Sequence, residues 1–247
     1  MWAVRALAAI GFVAVLAGCG GGGDAGGELG GGAEVVELAA TDVVVAPEGE
    51  LVWIAEQFRL EPGGELAHAH EFAFAYARGA RHTLERQGEV SELEPGEGAV
   101  VPARARHRHH ATESAGSAFW EVRLAAPDTP VPAGARRIFR SDRLAGIPAR
   151  PHASFLLVRI PPGGETSVHT HPGPELIYQL TGRILYQNAL IGTVELGPGG
   201  LEGIPPGTAV QKRNRFDADA EFLSWFLVDP EEPFAPAAEF RSEGPGS

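Results

Sequence analysis

The stretch "PGGETSVHTHPGPELIYQLTGRI", Pro162 to Ile184, decides how the rest of the chain is read. Its Pro-Gly-Gly turn, alternating His169-Thr170-His171 and following run "ELIYQLT" are the marks of short strands joined by tight turns. In a strand, residues two apart face the same side, so His169 and His171 point the same way. Glu175 lies past the turn "PGP" and can return a carboxylate from the next strand. Two imidazoles and a carboxylate on one face form a set that binds Fe(II), Mn, Zn or Ni and leaves coordination positions open.

Working outward, the same pattern occurs a second time. "EPGGELAHAH" (Glu61 to His70) echoes "PPGGETSVHTH" (Pro161 to His171), with the His-x-His pairs offset by 101 residues. Gly79 and Gly182 are 103 apart, as are Pro102 and Pro205, and a glycine (Gly96, Gly199) stands six residues before each of those prolines. Each half closes on an aromatic strand, "SAFWEVRLA" and "FLSWFLVD". The chain is one module written twice. With 33 Gly and 20 Pro in 247 residues, and turn-bounded apolar stretches throughout, the expected class is all-β. Each copy is long enough to bury one barrel core.

On these residues the sequence resembles the cupin superfamily, and its duplication resembles a bicupin. The family's first motif, G-x5-H-x-H-x3-E-x6-G, is met by Gly163, His169, His171, Glu175 and Gly182. Its second, G-x5-P-x-G-x2-H-x3-N, is met by Gly199, Pro205, Gly207 and Asn214, but Val210 stands at the histidine position. The first copy departs differently. His68, His70 and His107 are present, whereas counting back from Gly79 places Phe72 in the glutamate slot; Arg104 replaces a glycine and Ala111 the asparagine.

The resemblance implies two tandem double-stranded β-helix (jelly-roll) barrels and one divalent transition metal, Fe, Mn, Zn or Ni. The expected ligands are His169, His171 and Glu175 in the C-terminal copy and, with a weaker motif, His68, His70 and His107 in the N-terminal copy. His109 shares the parity of His107 and can substitute for it, and Gln211 faces away. Trp53, Trp120, Trp225 and Phe226 are read as core or barrel lining, His82 and His152 as surface or structural residues, and Tyr178, Tyr186 and Gln187 as pocket contacts. The function implied is that of a metal-dependent small-molecule enzyme, quercetinase-like dioxygenase first, decarboxylase or isomerase next. The alternative is a non-catalytic envelope lipoprotein that holds a ligand or metal. The fold alone does not choose among these.

The N-terminus carries a separate signal. Arg5 precedes the apolar run Ala6 to Leu16, too short for a comfortable membrane span, and the run ends in Leu16-Ala17-Gly18-Cys19. This resembles the lipobox of bacterial lipoproteins, with Cys19 as the lipidation site. Cys19 is the sole cysteine, so it cannot form an internal disulfide. The expected organisation is a signal peptide over 1–18, a Gly-rich tether over 19–33, an N-terminal cupin over 34–125, a Pro- and Arg-rich connection over 126–150, a C-terminal cupin over 151–240 and a tail over 241–247. Lipidation implies a cell-envelope location, at the outer membrane in a diderm host. After loss of residues 1–18 there are 19 basic and 32 acidic side chains, a balance that disfavours nucleic acid. The expected partners are a small-molecule ligand or substrate, the membrane through the lipid anchor alone, and a second copy of the chain in a homodimer.

Overall fold

The computed structural model describes residues 29–42 and 44–241; the expected signal peptide, Cys19, and most of the expected tether and tail lie outside the described residues. Among the described residues the regular elements are all strands. The first copy contributes β1 (Glu34–Thr41), β2 (Val52–Leu60), β3 (Glu65–His68), β4 (Ala73–Ala77), β5 (His82–Arg86), β6 (Glu89–Leu93), β7 (Gly98–Val101), β8 (His107–Ala111) and β9 (Ser117–Ala125). β10 (Arg136–Arg140) follows. The second copy contributes β11 (His152–Ile160), β12 (Glu175–Thr181), β13 (Ile184–Asn188), β14 (Gly192–Leu196), β15 (Leu201–Ile204), β16 (Val210–Arg213) and β17 (Ala220–Val228).

Each copy is a two-sheet barrel. The sheets β10-β2-β9-β4-β7 and β3-β8-β5-β6 enclose the first, and β1-β11-β17-β12-β15 and β14-β13-β16 the second. β1 and β10 trade places. β1 precedes the first barrel in sequence but pairs antiparallel with β11 of the second. β10 precedes the second barrel but pairs with β2 of the first. The segment 126–150 thus supplies an edge strand to a sheet as well as a connection. The end of the glycine-rich stretch is also docked: Leu29 is buried, and its carbonyl accepts a bond from the Ser167 amide.

The two five-stranded sheets face each other. The outward residues Trp53, Phe74, Trp120 and Val122 of one meet Phe155, Leu176, Leu223 and Trp225 of the other in one apolar cluster. The opposite parity faces into each barrel, and this decides the sites. On β9, Phe119, Glu121 and Arg123 point inward, while Trp120, Val122 and Leu124 join the inter-barrel core.

Register equates the copies. Ala73 pairs with Val101 and Arg123, as Glu175 pairs with Ile204 and Phe226, so Ala73 corresponds to Glu175 and Glu121 to Ser224. Counting back from Gly79 misses this by one residue because β12 carries a bulge between Gln179 and Thr181. The turn at Arg104 and Gly207 is conserved in shape without the glycine. Arg104 holds φ 60°, Gly207 φ 70°, and their amides bond the carbonyls of His70 and His171 respectively.

Gly182 is under stricter demand. It sits at φ 65°, and a Cβ there would lie 2.2 Å from the Asp219 carbonyl oxygen; at Gly79 the nearest atom would be Ala118 Cβ at 3.4 Å. Gly182→Ala is therefore expected to destabilise by roughly 2 kcal/mol or more, and Gly79→Ala by under about 1 kcal/mol, in urea unfolding. Equal losses would mean that the two turns carry the same strain.

Candidate metal centre

In the N-terminal barrel, strands β3 and β8 place His68 opposite His107 and Leu66 opposite His109. Burial along β8 alternates, His107 and His109 buried and Arg108 exposed, so both imidazoles enter the barrel. His70 follows on the loop after β3. The Nε2 atoms of His68, His70, His107 and His109 lie 3.1, 3.0, 3.1 and 2.9 Å from Glu121 Oε1, while Glu121 Oε2 is buried without a partner. The ligand atoms of His68, His107, His109 and Glu121 all fall within 4.8 Å of one another, a group able to hold one metal ion.

The outer ring nitrogens decide what this convergence means. His70 Nδ1 is 2.6 Å from the Glu71 carbonyl, and His107 Nδ1 is 3.0 Å from that of Ala105. A carbonyl only accepts, so both Nδ1 atoms carry protons. In the neutral rings each Nε2 then presents a lone pair toward an anionic carboxylate. Lone pairs and an anion aimed at one point form a shell suited to a cation. The chemistry of the donor set therefore fits a divalent transition metal.

His109 is steadied from behind. His82 is fully buried, its Nε2 2.8 Å from His109 Nδ1 and its Nδ1 3.2 Å from Ser117 Oγ. Of the two readings offered for His82, surface or structural, the structure selects the second: its parity on β5 carries it inward. His152 is a half-buried residue paired with the exposed Asp42. Further in, Arg123 and Arg137 both reach the buried Glu56, and Arg123 also reaches Glu71.

The C-terminal barrel brings His169, His171 and Glu175 together as well, but around a different centre. Lys212 Nζ donates to both Glu175 oxygens, at 2.9 and 3.0 Å, and Ser224 Oγ donates to Oε1 at 2.9 Å. Lys212 is equivalent to His109, two residues past Val210, which bridges His169. His169 and His171 donate Nδ1 protons to the carbonyls of Ser167 and Phe234, and their buried Nε2 atoms have no hydrogen-bond partner.

The barrels also differ in how they are closed. Phe234 packs on His171 at 4.9 Å, and the amides of Thr170 and Ala238 bond the carbonyls of Pro236 and Val168, so the chain after β17 lies over the histidines. Ile177, Tyr186, Phe222 and Phe226 fill the interior. Tyr186 is fully buried against Asn188, and Tyr178 stacks on Phe139 and meets Trp120 edge-on between the barrels, so neither is a pocket contact in the second barrel. In the first barrel the inward residues of β4 are Ala73, Ala75 and Ala77. The His68 side chain keeps 20% of its surface exposed.

Comparison with known proteins agrees with this architecture. Residues 156–226 match the family model described as Cupin domain. The fold is that of a cupin. The solved oxalate decarboxylase of Bacillus subtilis, described for its Mn(II) centres, superposes with a TM-score of 0.55 at 15% identity, covering 83% of this chain and 74% of that one. The Lactobacillus farciminis oxalate decarboxylase formate complex gives 0.54 at 16% identity, over 81% and 82%. AerE from Microcystis aeruginosa gives 0.52 at 14% identity, over 78% and 99%. At such identities the likeness concerns the fold. No curated protein matches the chain in sequence.

Both cupin barrels bury histidines in neutral form. Burial lowers His82 to about 3, helped by neighbouring His109, and lowers His109 to about 4 against the opposing pull of Glu121. Burial lowers His169 to about 3, with Lys212 adding to it, and His171 to about 4 against Glu175. Unfolding returns each ring to its ordinary value near 6.5, so below that pH the unfolded chain binds more protons. Stability is thus expected to fall as pH drops from about 6.5 toward 4, by on the order of 1.4 kcal/mol per pH unit for each such histidine. Flat denaturation midpoints between pH 6.5 and 5 would contradict the buried neutral state.

Proposed function

We propose that this chain is a metal-dependent bicupin acting on a small molecule, with its working centre in the N-terminal barrel and its folded part held at the cell envelope by lipidated Cys19. The observation that carries the reading is the convergence of His68, His70, His107 and His109 on Glu121 with the Nδ1 protons of His70 and His107 fixed outward. His68, His107, His109 and Glu121 would hold the ion, and His70 completes the ring. A bound divalent ion supplies Lewis acidity, and with Fe or Mn a redox couple.

The chain's own groups do the remainder. His82 and the Ala105 carbonyl fix ring orientation, and the buried Glu121 supplies the negative charge. The part-exposed His68 puts this centre within reach of solvent, whereas Phe234 and the chain after β17 cover the C-terminal histidines. Whether the ligand is turned over or only held divides the enzyme reading from that of a binding lipoprotein. The incomplete motifs in both copies favour the binding alternative.

The test is metal analysis of residues 29–241 purified without a histidine tag, followed by oxygen uptake and product assays with phenolic and dicarboxylate candidates. About one equivalent of metal with turnover supports the enzyme; metal and ligand binding without turnover supports the binding reading; no uptake on reconstitution removes both.

A further inference from the structure

The C-terminal barrel assembles two imidazoles and a carboxylate, and a lysine of β16, Lys212, reaches in to that carboxylate where a cation would sit. Lys212 is 2% exposed and Glu175 1%, and Lys212 Nζ bonds both carboxylate oxygens, leaving Ser224 Oγ the remaining donor to Oε1. The His169 and His171 Nε2 atoms, unprotonated because their Nδ1 protons go to backbone carbonyls, are buried without donors. An ammonium facing a carboxylate and two lone-pair nitrogens supplies the positive charge that a metal ion would otherwise bring to this donor set. The donor set therefore does not fit a metal while Lys212 is present.

We infer that the Lys212 ammonium is the resident cation of the C-terminal centre, so that this barrel takes up no metal, and that it becomes a metal site when the lysine is made neutral. The register supports this on independent grounds. Lys212 occupies the position of His109 in the other barrel, and Val210 that of His107, so the two imidazoles contributed there by β8 are here replaced by one apolar side chain and one built-in charge. Val210 and Lys212 then act together: a carboxylate with fewer metal ligands has its counter-charge inside the chain.

The inference rests on the reading of the N-terminal barrel as the metal centre only in the expected stoichiometry. The experiment measures bound Zn(II), and the visible spectrum with Co(II), in the wild type, in His169→Ala/His171→Ala, in Lys212→Met and in Lys212→Met/Glu175→Gln. The expected result is one equivalent in the wild type and in the double alanine variant, two in Lys212→Met, and one again in Lys212→Met/Glu175→Gln, which removes the carboxylate along with the ammonium. In Lys212→Met the second equivalent is also expected to raise the melting temperature. Should Lys212→Met fail to fold because its carboxylate is left bare, Lys212→His supplies a neutral ligand at the same place and is expected to bind the second equivalent.

Loss of metal from the wild type on removing His169 and His171 overturns the inference, as does a folded Lys212→Met that binds no more than the wild type. A wild type with no metal beside a Lys212→Met with one would leave the inference standing and remove the N-terminal reading instead.

Discussion

Glu121→Gln is expected to weaken metal binding by roughly a hundredfold, about 2.7 kcal/mol, while His169→Ala/His171→Ala leaves it unchanged. The sign follows from the charges. Glu121 is the carboxylate common to all four imidazoles, and glutamine keeps its volume and one acceptor oxygen but removes the anion. His107→Ala is expected to act in the same direction, because its outward Nδ1 bond to Ala105 already points its lone pair into the centre. Metal binding should also weaken as pH falls. Burial depresses His70, but the bond and charge of Glu121 outweigh this and raise its pKa above the ordinary imidazole value, so a proton competes for its inward nitrogen. The measurement is metal titration of the tag-free protein at several pH values. Metal retained in full by Glu121→Gln would sink the N-terminal centre.

Much of this centre was legible from spacing. His68, His70 and His107 stand where the repeat puts them, and two-residue parity carries His109 inward with His107. Glu121 escaped because its acid is not in the expected slot. Register equates it with Ser224 on the last strand of the barrel, whereas the slot filled by Glu175 holds Ala73 in the first copy. A lone glutamate inside "SAFWEVRLA" was the available signal: burial of an acid amid apolar neighbours needs partners, and four histidines provide them. Lys212 could have been found in the same way, since it shares the inward parity of Val210.

The fold itself was readable because turns and repeats are local signals. The exchange of β1 and β10 was not, because the choice between two open sheet edges depends on how the barrels pack, and no short window of sequence reports that. Motif completeness and geometry also rank the barrels in opposite order. The better-matched motif lies in the barrel that Phe226, Phe234 and Lys212 close. A motif counts residue types at fixed spacing, and Val210 and Lys212 change the charge balance without altering that spacing.

The packing of the barrels leads to the second large effect. Trp225→Ala is expected to cost about 3–5 kcal/mol and to lower a single unfolding transition for the whole chain. Trp225 is fully buried, stacks on Phe155 at 5.1 Å and 10°, and lies 5.5 Å from Phe139. Its indole nitrogen has no hydrogen-bond partner, so packing alone holds it. Phe155 in turn touches Phe74 and Tyr76 of the first barrel, and Phe139 belongs to the strand that crosses to it. A hole at Trp225 therefore loosens both sheets at once. Trp120 makes the control, because it lies at the edge of the cluster and is slightly exposed, so Trp120→Ala should cost less even though it also removes the Arg78 guanidinium contact at 4.7 Å. Calorimetry separates the cases. If the barrels unfold as one unit, Trp225→Ala shifts a single peak; if they are independent, it splits the peak and leaves the N-terminal barrel melting where it did before. The exchanged strands β1 and β10 make the first outcome the expected one, because neither barrel can open fully without surrendering an edge strand to the other.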